Sequence, residues 1–171
     1  MPTKTEKKKW FVVYTRHRWE KKAHSILTEN GIESYCPLNR VQRKWSDRMK
    51  VVEEPLFKSY LFVRVKEDEK AAVRLTDGVV NFVYWLGKPA IVKDREIETI
   101  RKFLNEHDNV DVEQLPLEKD GRVKINSGVF MDQEAKVLQI SKKTVRVIIE
   151  SIGFALIANL SRSNVRSIKP G

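Results

Sequence analysis

In WFVVYT (10–15) apolar residues occupy both parities, and their β-branched and aromatic character predicts a central strand covered on two faces. The period then changes. In WEKKAHSILTENG, Trp19, Ala23, Ile26 and Leu27 recur at i, i+4, i+7 and i+8, one stripe of a helix that Asn30-Gly31 stops. Its polar face carries Glu20, Lys21, Lys22 and Ser25. IESYCPLNRVQRKW and MKVVEEPLFKSYLFVRV read as two extended arms around Ser46-Asp47-Arg48, a hairpin with a basic tip. EDEKAAVRLTDG predicts a short helix with acids in its first turn and Gly78 at its end. VVNFVYWLGKPAIV predicts a strand, a turn at Gly87-Lys88-Pro89 and a further short strand. DREIETIRKFLNEH is a second amphipathic helix, capped by Asp94, with Ile97, Ile100 and Leu104 on one face. The order β-α-β-β-α-β-α implies an antiparallel sheet with flanking helices, the α+β class.

The pattern shifts after residue 107. Residues 108–118, DNVDVEQLPLE, are acidic, aperiodic and contain Pro116, which reads as a linker. Beyond it GRVKI, KVLQI, TVRVII, FALIANL and NVRSI recur at a spacing of roughly ten residues, the signature of a small all-β barrel. The expected organisation is a domain over 1–107, a linker over 108–118 and a barrel over 119–171. A barrel of about 50 residues lies near the lower limit for independent stability.

PLFKSYLFV (55–63) has apolar residues for nearly two faces around one Lys58. Alternation separates Tyr60, Phe62 and Arg64 from Leu61, Val63 and Val65, and the face ending in Arg64 is expected to be the open one. Twelve of the fifteen aromatic residues lie in the first 92 positions. Phe11, Tyr35 and Leu61 are assigned to the core. An open cluster of rings rimmed by charge marks a protein–protein surface.

Charge narrows the class of partner. Residues 1–66 hold 16 Lys/Arg against 7 Asp/Glu, and residues 67–171 hold 17 against 16, so nearly all of the +10 sits in the first third. Localised positive charge favours a polyanion through counterion release. The longest apolar runs fall far short of a membrane span, and the basic N-terminus lacks the apolar middle of a signal peptide, so a cytoplasmic location is expected. A single cysteine, Cys36, excludes an intramolecular disulfide framework.

Catalytic chemistry finds no footing. His17, His24 and His107 lack metal-ligand spacing, and Cys36 has no neighbouring Cys or His. There is no P-loop, dinucleotide fingerprint or G-x-S-x-G. Glu53 and Glu54 are strand neighbours that face opposite sides. A binding protein rather than an enzyme is expected, with no metal and no cofactor.

WFVVYTRHRWEKKAHSIL, EEPLFKSYLFVRV and GVVNFVYWLGKPAIV, in that order, resemble the N-terminal domain of the NusG family of bacterial transcription elongation factors over residues 10 to about 104. PLFKSYLFV and GKPAIV are closer to its antiterminator branch, typified by RfaH and the UpxY-type regulators of capsular polysaccharide operons. The C-terminal region resembles the family's KOW module, an SH3-like barrel. Its G-P-F-x-G-x-x-G pattern reads Gly128-Val129-Phe130-Met131-Asp132-Gln133-Glu134-Ala135 here, with Pro and the two later glycines replaced.

The resemblance implies a monomeric factor whose N-terminal domain docks on the clamp helices of the largest RNA polymerase subunit and suppresses pausing and termination. Carried over by position, the docking patch is Tyr14, Phe57, Tyr60, Phe62, Phe82 and Trp85, with Thr76 as a second bridge contact. Arg16, Arg18, Lys21 and Lys22 would hold the non-template DNA strand, with Trp19 either stacking a base or anchoring its helix. The hairpin tip, Arg43, Lys44, Arg48 and Lys50, is a second nucleic-acid candidate or a solvated basic loop. Through the C-terminal domain the family recruits a small-subunit ribosomal protein or the termination factor Rho. Two other readings stay open: a general elongation factor, and a ribosome-associated RNA-binding protein, which would call for a basic C-terminal domain.

Overall fold

The computed structural model describes residues 7–85, 87–115 and 144–159, and the backbone path of 137–140. The strands and helices run β1 (Lys9–Thr15), α1 (Glu20–Glu29), β2 (Glu33–Tyr35), β3 (Leu38–Trp45), β4 (Arg48–Pro55), β5 (Tyr60–Val65), α2 (Lys70–Arg74), β6 (Val79–Phe82), β7 (Tyr84–Trp85), β8 (Lys88–Pro89), β9 (Ile91–Val92), α3 (Asp94–Glu106), β10 (Asp111–Gln114), β11 (Val137–Ile140), β12 (Thr144–Ile149) and β13 (Phe154–Asn159). They fall into two compact units: Met1–Cys36 with Phe57–Asp94, and Pro37–Leu56 with Arg95–Gly171. Among the described residues no helix is long and apolar enough to cross a membrane.

The first unit is built on a five-stranded sheet in the order β2-β5-β1-β6, with β9 also paired to β1. All its pairings are antiparallel, and the β1–β5 register sets Tyr14 against Tyr60, Val12 against Phe62 and Trp10 against Arg64. The central place predicted for WFVVYT is observed, and Trp10, Phe11, Val12 and Val13 are all buried. On β5 both parities are buried too: Leu61, Val63 and Val65 on one face, Phe62 on the other. Apolar density on both sides is what a doubly covered strand needs.

Helix α1 buries Ala23 and Leu27 and ends as expected. The Asn30 N–H donates to the Ile26 and Leu27 carbonyls, and Gly31 takes φ 80°. Glu20 departs from expectation: assigned to the polar face, it lies at i−3 and i−7 from Ala23 and Leu27, on their side of the helix, and is 5% exposed. Helix α2 sets Lys70 against the sheet, its Nζ 4.2 Å from the Phe11 ring centroid and 3.1 Å from Glu67. The turn expected at Gly87-Lys88-Pro89 is shorter. Of those three residues, Gly87 (φ 81°) lies between the strands, and Lys88–Pro89 forms a strand paired with Tyr84–Trp85. Proline is compatible with such a short edge pair because no ladder donor is needed from it.

In the second unit β3 and β4 form the expected hairpin, from Leu38↔Pro55 to Trp45↔Arg48, with Ser46 at φ 49° in its turn. Its base is held by side-chain amides. Asn39 donates to the Val110 carbonyl at 2.9 Å and accepts from the Val110 N–H at 3.0 Å, and the Asn109 N–H donates to the Arg40 carbonyl. Helix α3 buries Ile97, Ile100 and Phe103, whereas Leu104, expected on that stripe, is half-buried. Within the expected linker, Asp111–Gln114 is a strand paired with β13. Its neighbour Leu115 packs with Ile148 and Ala155. The described strands of this region form a four-stranded antiparallel sheet, β10-β13-β12-β11. VLQI, TVRVII and FALIAN are strands as expected; GRVKI, NVRSI and the 128–135 pattern lie outside the described residues.

Candidate functional site

The surface of the first unit that brings candidate residues together is the β1–α1 turn and the end of β1. Three backbone bonds shape it. The Thr15 N–H donates to the Ser59 carbonyl at 2.9 Å, the Arg16 N–H to the Gly78 carbonyl at 2.9 Å, and the Trp19 N–H to the Arg16 carbonyl at 3.0 Å. Arg18 sits at φ 67°, a left-handed conformation that turns the chain into α1. The Ser59 N–H donates in turn to the Glu20 carboxylate at 2.6 Å, which explains why Glu20 is inside.

This geometry leaves Arg16, Arg18, Lys21 and Lys22 exposed. The Arg16 guanidinium carbon lies 5.6 Å and the Lys22 ammonium 4.5 Å from the Trp19 ring centroid. The ring also lies against the Gly78 turn: a Cβ built on Gly78 (φ 91°) would meet Trp19 Cε3 at 2.5 Å. Trp19 packs against the Gly78 turn, in keeping with the anchoring role, and Arg16 and Lys22 lie near its ring. A cation over an indole is held by the ring quadrupole, so the basic strip is partly pre-arranged.

At the end of β1, Tyr14 and Tyr60 face one another with ring centroids 5.3 Å apart. Tyr14 is 40% exposed and Tyr60 half-buried. The Tyr60 phenol is pushed up, first by burial and then by the charge and hydrogen bond of Tyr14. Trp85 is half-buried on β7. The remaining patch residues correct the expectation. Phe57, Phe62 and Phe82 are 4, 1 and 2% exposed, so the face of PLFKSYLFV that was expected to be open is closed at Phe62 and stays partly open at Tyr60 and Arg64.

The cover comes from this chain. Phe57 stands edge-on to Phe62 at 5.7 Å and Tyr35 stacks on Phe62 at 6.2 Å, while Phe82 meets Phe11 edge-on at 5.7 Å. Arg64, at the end of that face, is half-buried and paired with Glu33 at 3.3 Å. Thr76 is closed as well, buried with its hydroxyl donating to the Ala72 carbonyl at 2.9 Å.

In the first unit the exposed apolar residues that periodicity did not single out are Leu75, Val80, Tyr84 and Ile91. Leu75, 83% exposed just past α2, carried a signal: a leucine outside any helical stripe, beside the turn residues Thr76-Asp77-Gly78.

The arm β3–β4, described by itself, holds the other basic candidates. Arg43 is exposed but engaged, its Nη2 at 3.0 and 2.6 Å from the two Glu54 oxygens, and Arg40 pairs with Glu53 at 3.5 Å. Lys44, Arg48 and Lys50 are exposed at the tip, Lys50 lying 5.0 Å from the centroid of Trp45, itself 54% exposed. Among the described residues no group of three or more His, Cys, Asp or Glu side chains is placed to hold a metal ion.

Comparison with known proteins places this surface in context. A family model described as "Transcription termination factor nusG" matches residues 8–101. The "Transcription termination/antitermination protein NusG" of Streptococcus pyogenes serotype M3 is 27% identical over 167 residues, covering 90% of this chain and 92% of its own. The protein of the same description from Chlamydia trachomatis serovar D is 28% identical over 135 residues, covering 72% and 74%. A solved structure described as "Domain interaction in Thermotoga maritima NusG" aligns over 95% of this chain and 98% of its own, with 22% identity and a TM-score of 0.48.

Proposed function

The chain belongs to the NusG family of transcription termination and antitermination factors, and from that premise we propose that it binds elongating RNA polymerase through the Tyr14–Tyr60 end of its first sheet. The partner on this reading is the clamp-helix coiled coil of the largest subunit. One observation carries it: within the family-matched region, two partly exposed tyrosines pair, tilted by 32° at 5.3 Å, beside a turn that displays Arg16, Arg18, Lys21 and Lys22. Rings of this kind bring contact area at low entropic loss, and the adjoining cations suit the non-template strand. Phe57, Phe62 and Phe82 act beneath that surface, as the packed layer that fixes it, and Tyr14, Tyr60 and Trp85 make the contact.

The action is mechanical. A factor that binds the closed, elongating clamp more tightly than the paused one shifts the population toward elongation. A difference of about 1.4 kcal/mol shifts it about tenfold, so a small patch suffices. The antiterminator branch, acting at particular operons such as those for polysaccharides, is supported by PLFKSYLFV and GKPAIV. A general elongation factor is the second reading, favoured by the near-complete coverage of general NusG relatives. In either case the second unit, with its sheet β10-β13-β12-β11, serves as the KOW-like module for a ribosomal protein or Rho.

The test is retention of purified core polymerase by wild type and by Tyr14→Ala/Tyr60→Ala, each shown folded by circular dichroism. The double variant is expected to bind at least about tenfold more weakly. Equal retention would remove the ring pair from the contact. Pause lifetimes on templates with and without a recruitment sequence then separate the specialised reading from the general one.

A further inference from the structure

We infer that Glu20 is a positioning residue for partner binding: it locks the Ser59 turn and so holds the ring pair and the basic strip as one prearranged surface. The inference rests on the polymerase-binding reading and names what presets that site. Glu20 begins α1, where the helix dipole favours a carboxylate, yet it is only 5% exposed. Its Oε2 accepts the Ser59 N–H at 2.6 Å, the short length of a charge-assisted bond.

Ser59 is held at φ 68°, a left-handed conformation that a non-glycine residue adopts only when its surroundings over-determine it. Two bonds do so. The Ser59 N–H is taken by Glu20, and the Ser59 carbonyl is taken by the Thr15 N–H at 2.9 Å. Ser59 immediately precedes Tyr60, and Thr15 immediately follows Tyr14. Both rings of the pair therefore hang from residues adjoining this clamp. Glu20 itself follows Trp19, whose ring sits beneath Arg16 and Lys22. One carboxylate thus ties the strip that would meet nucleic acid to the rings that would meet protein.

A surface held in this way binds without first waiting for its competent conformer. If that conformer falls to a tenth of the population, apparent affinity falls tenfold. Glu20→Ala removes the acceptor, Glu20→Gln retains an oxygen at the same reach, and Glu20→Asp draws it back by one methylene. The experiment uses the full chain. It measures affinity for core polymerase together with the Ser59 amide proton shift and the Tyr60 phenol titration by NMR.

Glu20→Ala and Glu20→Asp are expected to bind about tenfold more weakly, to move the Ser59 amide upfield and to alter the Tyr60 titration. Glu20→Gln is expected to stay within about threefold of wild type. A folded Glu20→Ala that binds like wild type, while Tyr14→Ala/Tyr60→Ala does not, overturns the inference and leaves the functional reading standing. If the ring-pair variant also binds like wild type, the functional reading is overturned and this inference with it. Should Ala unfold the chain, Gln and Asp decide. Equal losses in both, with an unmoved Ser59 amide, overturn the positioning role.

Discussion

In the β1–α1 turn the carboxylate, Glu20, points inward to the Ser59 N–H, and Arg16 and Lys22 lie over the Trp19 ring. In the β3–β4 arm the carboxylates Glu53 and Glu54 stand outside, matched by Arg40 and Arg43. Both regions combine tryptophan, arginine, lysine and glutamate. The difference is in what the backbone leaves unpaired. A hairpin sets side chains in rows on each face, so Arg40 meets Glu53 directly across, while Arg43, whose facing residue is Lys50, reaches along its face to Glu54. A turn with a left-handed residue and a buried acceptor turns its acid inward and leaves its cations outside. Net charge counted along a segment therefore overstates what the arm offers a polyanion and understates what the turn does.

The sharpest division is between rings that hold the first unit together and rings that face out of it. Phe62, 1% exposed between Phe57 and Tyr35, is expected to destabilise the fold by about 3–5 kcal/mol when replaced by Ala, the range for buried aromatics. Tyr14, at 40% exposure, is expected to lose less than about 1 kcal/mol on the same change while losing partner affinity. Urea unfolding midpoints of the two variants check this. A stable Phe62→Ala would mean that the closed face contributes little to the core.

Next in size is a chemical readout of the inward carboxylate. The Cys36 thiol is pushed up from its ordinary 9.0 to about 12, first by burial, then by the Glu20 charge, with Lys21 opposing. At pH 9 the folded chain is expected to react with a thiol reagent roughly two to three orders of magnitude more slowly than the urea-unfolded chain, because only the thiolate attacks. The sign for stability follows. The folded thiol keeps its proton where the unfolded one has lost it, so this contribution is complete below pH 9.0 and declines as pH rises toward about 12. Glu20→Gln removes the second cause and is expected to speed labelling of the folded chain. No change would place that carboxylate's charge elsewhere.

Legibility in the sequence divides along the same line. The central strand, α1 with its Asn30-Gly31 stop and the hairpin turn at Ser46-Asp47 were readable because period and turn chemistry are local. Three failures share a different cause. Alternation shows that Phe62 and Leu61 point to opposite sides, but not that Tyr35 and Phe57 close over Phe62. Helical spacing sets Glu20 at i−3 and i−7 from Ala23 and Leu27, at the edge of their stripe, but does not show that the Ser59 backbone, 39 residues away in sequence, supplies the donor that lets a carboxylate stay inside. Acidic composition made 111–114 look like a linker, whereas pairing with β13 supplies its backbone bonds and makes it a strand. Each is a long-range partner overriding a local preference. Within the candidate site, the exposed cations of the turn and the Tyr14–Tyr60 pair were legible; the closure of Phe57, Phe82 and Thr76 was not.

The smallest effect tests the comparison most directly. Single-stranded DNA binding, measured against salt, counts phosphate contacts, with log affinity falling about 0.7 per contact for each decade of salt. Arg16, Arg18 and Lys22 make no ion pair among the described residues, so Arg16→Ala/Arg18→Ala/Lys22→Ala is expected to flatten the slope by about two units. Arg43→Ala/Lys44→Ala is expected to change it by less than about one unit, because Arg43 already spends its Nη2 on both Glu54 oxygens and must leave them before it meets a phosphate. Glu54→Gln sharpens the result: freeing Arg43 should steepen the slope. If the arm variant flattens the slope as much as the turn variant does, the pairing in the hairpin does not withhold its charge. The two basic regions would then be equivalent toward nucleic acid despite their different geometry.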